Sequence, residues 1–329
     1  MGLLDQLEQT RARAEGVRAR LTTATWARLT SDVAGALKSA RHIDFALKTL
    51  PALTTTPTQI KTLRQTILNL AVRGKLVAQD PNDEPASVLL ERIGCEIAAY
   101  SKSERITQTL PASVTPAEQE FGLPRGWSWT RLCGLFKVIT DGDHQPPPKA
   151  DDGIAFLTIG NVTTGKLEFS GCRTVPASYF EALPRYRTPQ KGDILYTVVG
   201  ATYGRPALVE TDRPFCVQRH IAIMKPSRSM DLRFLVHLLA SPMVYDQATR
   251  GTTGTAQPTI ALRPLRNFVI AVPPLAEQLR IVAKVDALMA LCDQLETALT
   301  TTATTRQRLL ETLIRRALSP DDPILQAAQ

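Results

Sequence analysis

Apolar positions recur along this chain with two different periods, and the change of period divides it. From Leu3 to about Leu50 the text is rich in Ala, Leu, Arg and Thr and carries no proline, which predicts one long helix or two. After the break at PALTTTPTQ, the residues Ile60, Leu63, Ile67 and Leu70 return at steps of three and four. That stripe is helical, and it meets Gly74, a residue suited to ending a helix. The cluster DPNDEP, Asp80 to Pro85, is a turn that leads into a further short helix over ASVLLERIGCEIAAY. Residues 107–126 are rich in Pro, Thr and Gln and read as a linker.

Over 127–273 the pattern shortens. The runs IAFLTI, DILYTVV, PALVE and HIAIMK have the length and composition of strands and are separated by Gly, Pro, Asp and Asn. The clear helix of this stretch is DLRFLVHLLASPMVYDQAT, so the text is that of an irregular α+β globule. From 274 onward helical text returns. Ile281, Val285, Leu288, Cys292, Leu295 and Leu299 alternate by four and three, and Leu309 and Leu313 continue the register beyond a polar gap at Thr302 and Arg306. Such a stripe is a coiled-coil seam and needs a partner helix. DQLE occurs at Asp5 to Glu8 and again at Asp293 to Glu296, and the same ungapped register pairs Arg20 with Arg308, Leu21 with Leu309 and Arg28 with Arg316. The front of the chain, from the same molecule or a second copy, is therefore the most economical partner for the seam.

The chain has 329 residues, enough for one large domain or two ordinary ones. Its formal charge of +8 and pI near 9.4, with 5% aromatic residues, favour a polyanionic partner, although a basic and inert surface has the same composition. Cys95, Cys133, Cys172, Cys216 and Cys292 lie far apart and form no C-x-x-C pair, which suits free thiols in a reducing cytoplasm and argues against a zinc cluster. No apolar run reaches membrane-spanning length and the first residues lack a signal-peptide core, so a cytoplasmic location is expected.

Catalytic signatures are missing from the text. Gly160 to Lys166 in IGNVTTGKL satisfies G-x-x-x-x-G-K, but Leu167 replaces the Ser or Thr that a magnesium-binding phosphate loop requires. KLEFS reads as a strand, with a hairpin turn through Thr163 to Lys166. The four histidines, His42, His144, His220 and His237, have no metal-ligand spacing. His237 sits in an apolar helical run as a core or rim residue, whereas His144 lies in a polar loop. No N-P-P-[FY] motif, cofactor-binding glycine signature or nuclease arrangement of Asp and Glu-x-Lys is present.

PPLAEQLRIVAKVDALMALCDQLE, Pro273 to Glu296, and QTILNLAVRGKLVAQDPNDEPASVLLERI, Gln65 to Ile93, resemble the conserved regions of specificity (HsdS) subunits of type I restriction-modification systems. Between them GWSW (Gly126 to Trp129), TDGDHQPPP (Thr140 to Pro148), KGDILYT (Lys191 to Thr197) and GTAQPTI (Gly254 to Ile260) are similar to loose motifs of that family's target recognition domains. The resemblance covers nearly the whole chain. It implies a DNA-reading subunit without chemistry of its own, in which two recognition domains are separated by conserved helices forming an antiparallel coil. Methyltransferase (M) subunits methylate and translocating restriction (R) subunits cleave, so S-adenosylmethionine, ATP and magnesium belong to those partners and no cofactor or metal is expected here.

Only one recognition domain is found in this sequence, as if the rear half of a usual member had been kept. On that reading the repeated DQLE is the remnant of an internal duplication, and two copies related by a twofold axis would restore the coil and read an interrupted palindrome of double-stranded DNA. The expected fold is α+β: an N-terminal helical region over 1–106, a linker over 107–126, one mixed target recognition domain over 127–273 and a coiled-coil helix over 274–329, the long helices forming an antiparallel coiled coil. A coiled-coil adaptor without DNA reading, or a silent specificity cassette, stays open as an alternative.

Base reading needs Arg, Lys, Asn, Gln, Ser or Thr on a rigid platform, and phosphate anchoring needs cations or small polar groups. Four loops carry that mixture. TDGDHQPPPK contributes His144, Gln145 and Lys149; GATYGRP contributes Thr202, Tyr203 and Arg205; CVQRH contributes Gln218, Arg219 and His220; TRGTTGTAQPT contributes Arg250, Thr252, Thr253, Thr255 and Gln257. For any single residue, a solvated turn is the simpler reading; that at least one loop touches DNA is the expectation. Arg185, Arg187 and Lys191 in ALPRYRTPQKGD add cations that could be plain surface charge.

Overall fold

The computed structural model describes residues 2–30, 49, 54–107, 111–143, 147–163, 165–254 and 257–317. The chain forms two compact units, one of residues 1–67 with 286–329 and one of residues 68–285. The fold class is the expected one, α+β, with a mixed globule flanked in sequence by long helices.

Helices make up the first unit. Helix α1 spans Leu3–Thr30, helix α2 spans Pro57–Val72, and the last helix, Leu275–Ala317, enters this unit at Asp286. Ile60, Leu63 and Ile67 are buried along one face of α2, and Leu288 and Cys292 along one face of the last helix. Linking the two helices, the Arg64 guanidinium pairs with the exposed carboxylates of Asp293 and Glu296, each at 2.7 Å. The segment DQLE therefore meets α2, whose own stripe was legible, in a contact that no repeat announced. Ile281, Val285, Leu288 and Cys292 are buried, and Leu295 and Leu299 are half-buried. Farther along, Leu309, Leu310, Leu313 and Ile314 are more than half exposed.

In the second unit α2 ends where Lys75 N–H donates to Leu70 O at 2.9 Å and Gly74 adopts a φ of +66°. A side chain at Gly74 would also run into Pro124 and the Trp127 ring. Helix α3, Ala86–Glu104, buries Ala86, Leu89, Ile93 and Ile97 at steps of three and four. Strand β1 (Ser128–Arg131) pairs antiparallel with the last strand, β11 (Val269–Val272), so the globule closes on its own ends.

Two sheets form the centre. The first is antiparallel in the order β2 (Phe136–Asp141), β8 (Ile221–Pro226), β5 (Ile194–Thr197), β6 (Pro206–Leu208). The second has the order β4 (Arg173–Val175), β3 (Ile154–Leu157), β7 (Phe215–Val217), with β3 and β7 parallel. β5 and β8 are buried at every position, which is why DILYTVV and HIAIMK read as continuous apolar runs rather than alternations. A small hairpin joins β9 (Thr252–Thr253) to β10 (Thr259–Ile260). Inside, Lys225 Nζ pairs with Asp193 at 2.5 Å and also donates to Thr188 O, a buried ion pair whose polar atoms are satisfied. Burial pushes the Asp193 carboxyl above its usual range despite the pull of Lys225.

Two sequence expectations change. The helix over DLRFLVHLLASPMVYDQAT is two helices, Leu232–Leu239 and Pro242–Arg250. Asp231 caps the first by accepting from Phe234 N at 2.8 Å, and Ser241 caps the second with Pro242 in its first turn. Proline cannot donate to a continuing helix and disfavours helical backbone in the residue before it, so Ser-Pro punctuates the run. KLEFS is not a strand. Asn161 and Glu168 exchange backbone and side-chain bonds at 2.8 and 2.9 Å, folding 166–170 back onto a 3-10 turn at Ile159–Asn161. No helix follows Lys166, and Gly165 turns at a φ of +79°, so the phosphate-loop pattern has no structural counterpart.

Candidate nucleic-acid interface

The candidate loops emerge at the end of the four-stranded sheet where β5 stops and β8 starts, and backbone bonds tie them together. β7 belongs to one sheet and β8 to the other, so the turn Gln218 to His220 is the crossing between them. Its Gln218 N–H donates to Leu157 O at 2.9 Å, its His220 carbonyl accepts from Val198 N at 3.1 Å, and Gln218 forms a parallel bridge with Asp143 of TDGDHQPPPK. One step along, Gly200 N–H donates to Pro258 O and Ile260 N–H donates to Val198 O, at 2.9 and 2.8 Å, fastening the β9–β10 hairpin to GATYGRP. Tyr203 stacks on Tyr245 with ring centroids 5.4 Å apart, and its hydroxyl lies 3.0 Å from Thr249 Oγ1. The structure therefore brings together four segments spread over more than a hundred residues.

Individual candidates fall into distinct environments. Arg205 is exposed and donates to Thr163 O at 2.6 Å, drawing the IGNVTTGKL turn into the same neighbourhood. Arg250 pairs with Glu120 at 2.9 Å on the surface. Arg219 is exposed and donates through Nε to His220 Nε2 at 3.2 Å. Burial, and then the Arg219 charge, hold the His220 imidazole below its usual range, consistent with a neutral ring that accepts at Nε2. Thr202 and Gln218 are half-buried; Thr253, Gln257 and Lys149 are exposed. Lys149 stands beside β4, next to Ala150, whose N–H donates to Thr174 O. His144, Gln145 and Thr255 lie outside the described residues.

Arg187 proves to be a brace. It donates from Nε to Asp141 O at 3.2 Å and from Nη2 to the Asp141 carboxylate at 3.1 Å and Gly142 O at 3.2 Å. Lys191 pairs with Asp212 on the surface. Arg185 lines a polar cleft of about 860 Å³ with Lys137, Lys225 and Arg228. That cleft lies where β8 ends, across the sheet from the loops. There Glu96 of α3 accepts from Ser229, from Ser227 and from Arg228 N; burial pushes its carboxyl up, but these bonds prevail and hold it below its usual range.

Sequence reasoning missed Tyr245 and Thr249. Both lie on the helix Pro242–Arg250 at a spacing of four and complete the tyrosine stack beside Arg250. It also gave no role to the paired polar residues of PPLAEQ. Glu277 is buried and accepts from the Trp127 indole at 2.9 Å and from Gln79 at 3.2 Å; Gln278 is buried and accepts from Asp231 N at 3.1 Å. These two residues clasp the start of the globule, the segment after α2 and the N-terminal cap of the helix Leu232–Leu239. Glu and Gln inside an otherwise apolar helix start were the available signal.

Comparison with known proteins places this architecture. Residues 124–304 match the family described as type I restriction modification DNA specificity domain. The specificity subunit of the Escherichia coli type I restriction enzyme EcoEI is 31% identical over 97% of this chain and 55% of its own length. That of the E. coli enzyme EcoAI is 32% identical over 78% of this chain and 44% of its own length. Among solved structures, the HsdS subunit of Thermoanaerobacter tengcongensis is similar with a TM-score of 0.45 and 20% identity, covering 86% of this chain and 59% of that one. A chain from a structural study of type I R-M complex assembly and conformational transition has a TM-score of 0.49 and 21% identity, covering 71% of this chain and 57% of that one. This chain belongs to the type I restriction-modification DNA specificity family. It spans about half the length of the curated relatives it matches.

Proposed function

We propose that this chain is the non-catalytic, sequence-reading subunit of a type I restriction-modification complex, and that its loop cluster reads one half-site of double-stranded DNA. Two copies, related by a twofold axis through the long helices, would read an interrupted palindrome, with the gap set by the coil. Methyltransferase and restriction subunits would dock on the helices and bring S-adenosylmethionine, ATP and magnesium with them, and the complex would work in the cytoplasm. The observation that carries this reading is the convergence of polar and cationic loops, pinned to one another by backbone bonds at the crossing of two sheets. A scaffold of that kind holds side chains rigidly enough to discriminate base edges.

Salt titration of duplex binding tests it. The complex of this chain with its methyltransferase should lose affinity linearly in log salt, with a slope that reports several phosphate contacts, and should lose it far less steeply without the chain. Salt-independent binding, or binding that persists unchanged without the chain, would favour an adaptor.

A further inference from the structure

The three arginines on the converging loops, Arg205, Arg219 and Arg250, and Arg187, which braces one of those loops, do not have equal freedom. Arg187 commits Nε and Nη2 to Asp141 and Gly142, Arg205 commits Nη1 to Thr163 O, and Arg250 commits Nη2 to Glu120. Arg219 differs: its protein hydrogen bond runs through Nε to His220, and among the described residues no protein atom engages either Nη nitrogen. The backbone on either side of it is also tied down. The turn that carries it is fixed on one side by Gln218 N–H to Leu157 O, on the other by Val198 N–H to His220 O, and across itself by Ile221 N–H to Gln218 O at 3.0 Å.

From this arrangement, and resting on the DNA-reading function proposed above, we infer that Arg219 reads a guanine in each half-site through its Nη fork, with His220 as the positioning residue. A guanidinium held at Nε keeps its planar pair of Nη donors available in a defined orientation, and the two acceptors of guanine in the major groove, O6 and N7, match that pair. A cation serving only as a phosphate anchor has no need of such orientation, because phosphate contacts position without reading sequence. The His220 ring supplies the acceptor for Nε as long as it is neutral, and its half-buried place beside an arginine favours that state.

The test is the set of methylated sites found genome-wide in cells carrying the partner methyltransferase with the wild-type chain, Arg219→Lys, Arg219→Ala, His220→Ala or His220→Asn. The wild-type motif should contain one guanine per half-site that becomes degenerate in both Arg219 variants, discrimination at that position falling roughly 5- to 150-fold while the other positions hold. Lysine keeps the charge but not the fork, so failure of Arg219→Lys to restore the guanine separates base reading from phosphate anchoring. His220→Ala should blur the same position only, and His220→Asn, which retains an acceptor, should blur it less. Because Arg219 is exposed, its variants should melt at the wild-type temperature. An unchanged motif in Arg219→Lys and Arg219→Ala, with affinity reduced equally on all sequences and the salt slope reduced by about one, would make Arg219 a phosphate contact and overturn the inference. If the wild-type chain directs no motif at all, the DNA-reading function falls first and this inference with it.

Discussion

Trp127 donates its indole N–H to Glu277 at 2.9 Å, and both side chains are buried. Trp127 opens the recognition text and Glu277 lies in the first turn of the last helix, so the bond closes the globule where the chain enters and leaves it. Burial pushes the Glu277 carboxyl up, opposed by Trp127 and Gln79. Trp127→Phe should therefore strand a buried acceptor and destabilise the protein by about 1–3 kcal/mol beyond any packing loss. Chemical denaturation would measure it; a change within error would mean that solvent replaces the indole.

Gly74 and Gly171 have nearly the same left-handed φ, +66° and +65°, but only Gly74 has neighbours that a β-carbon would strike. Gly171→Ala should cost about 1 kcal/mol for backbone conformation alone. Gly74→Ala should cost clearly more, because Pro124 and Trp127 must move. Equal losses in denaturant titrations would show that the α2 exit is soft.

Ser241 Oγ accepts from Val244 N at 3.4 Å and donates to Leu238 O at 2.6 Å, capping the helix that carries Tyr245 and Thr249. Ser241→Ala should cost about 1 kcal/mol. Since that helix holds the tyrosine stack, exchange of its backbone amides should quicken ahead of those of β8; uniform protection would contradict the assignment of a helix break here.

Glu118 is held at about 2 by the Arg131 hydrogen bond first and then by Thr115, against an ordinary value of 4.5. A carboxyl with a depressed folded-state pKa stabilises fully above its unfolded value and loses that contribution as pH falls toward the folded one. The melting temperature of Glu118→Gln should thus trail the wild type by a constant amount above pH 4.5, the gap closing between 4.5 and 2. A gap that widens on acidification would reverse the sign and refute the pairing.

Much of this architecture was legible because local pattern determines it. The Ile60, Leu63, Ile67 stripe, the Gly74 stop and the apolar runs of β5 and β8 each follow from a few adjacent residues. Ser241 and Pro242 were equally local, and the break they mark was overlooked because the apolar pattern of FLVHLL continues into MVY. The candidate loops were legible by composition, but their meeting was not. Gly200 reaches Pro258 and Val198 reaches His220 through backbone bonds that no side-chain pattern encodes, and the clasp between Trp127 and Glu277 spans 150 positions. Arg187 shows the same limit: its charge is visible in the text, its role as a brace on Gly142 is not.

DNA reading by this chain is tested by a genome-wide map of adenine methylation in cells expressing the partner methyltransferase with and without it. A new motif, palindromic and interrupted, is the predicted result, since the proposed pair of identical copies would see identical half-sites. No new motif in the presence of the chain would contradict a sequence-reading role for it.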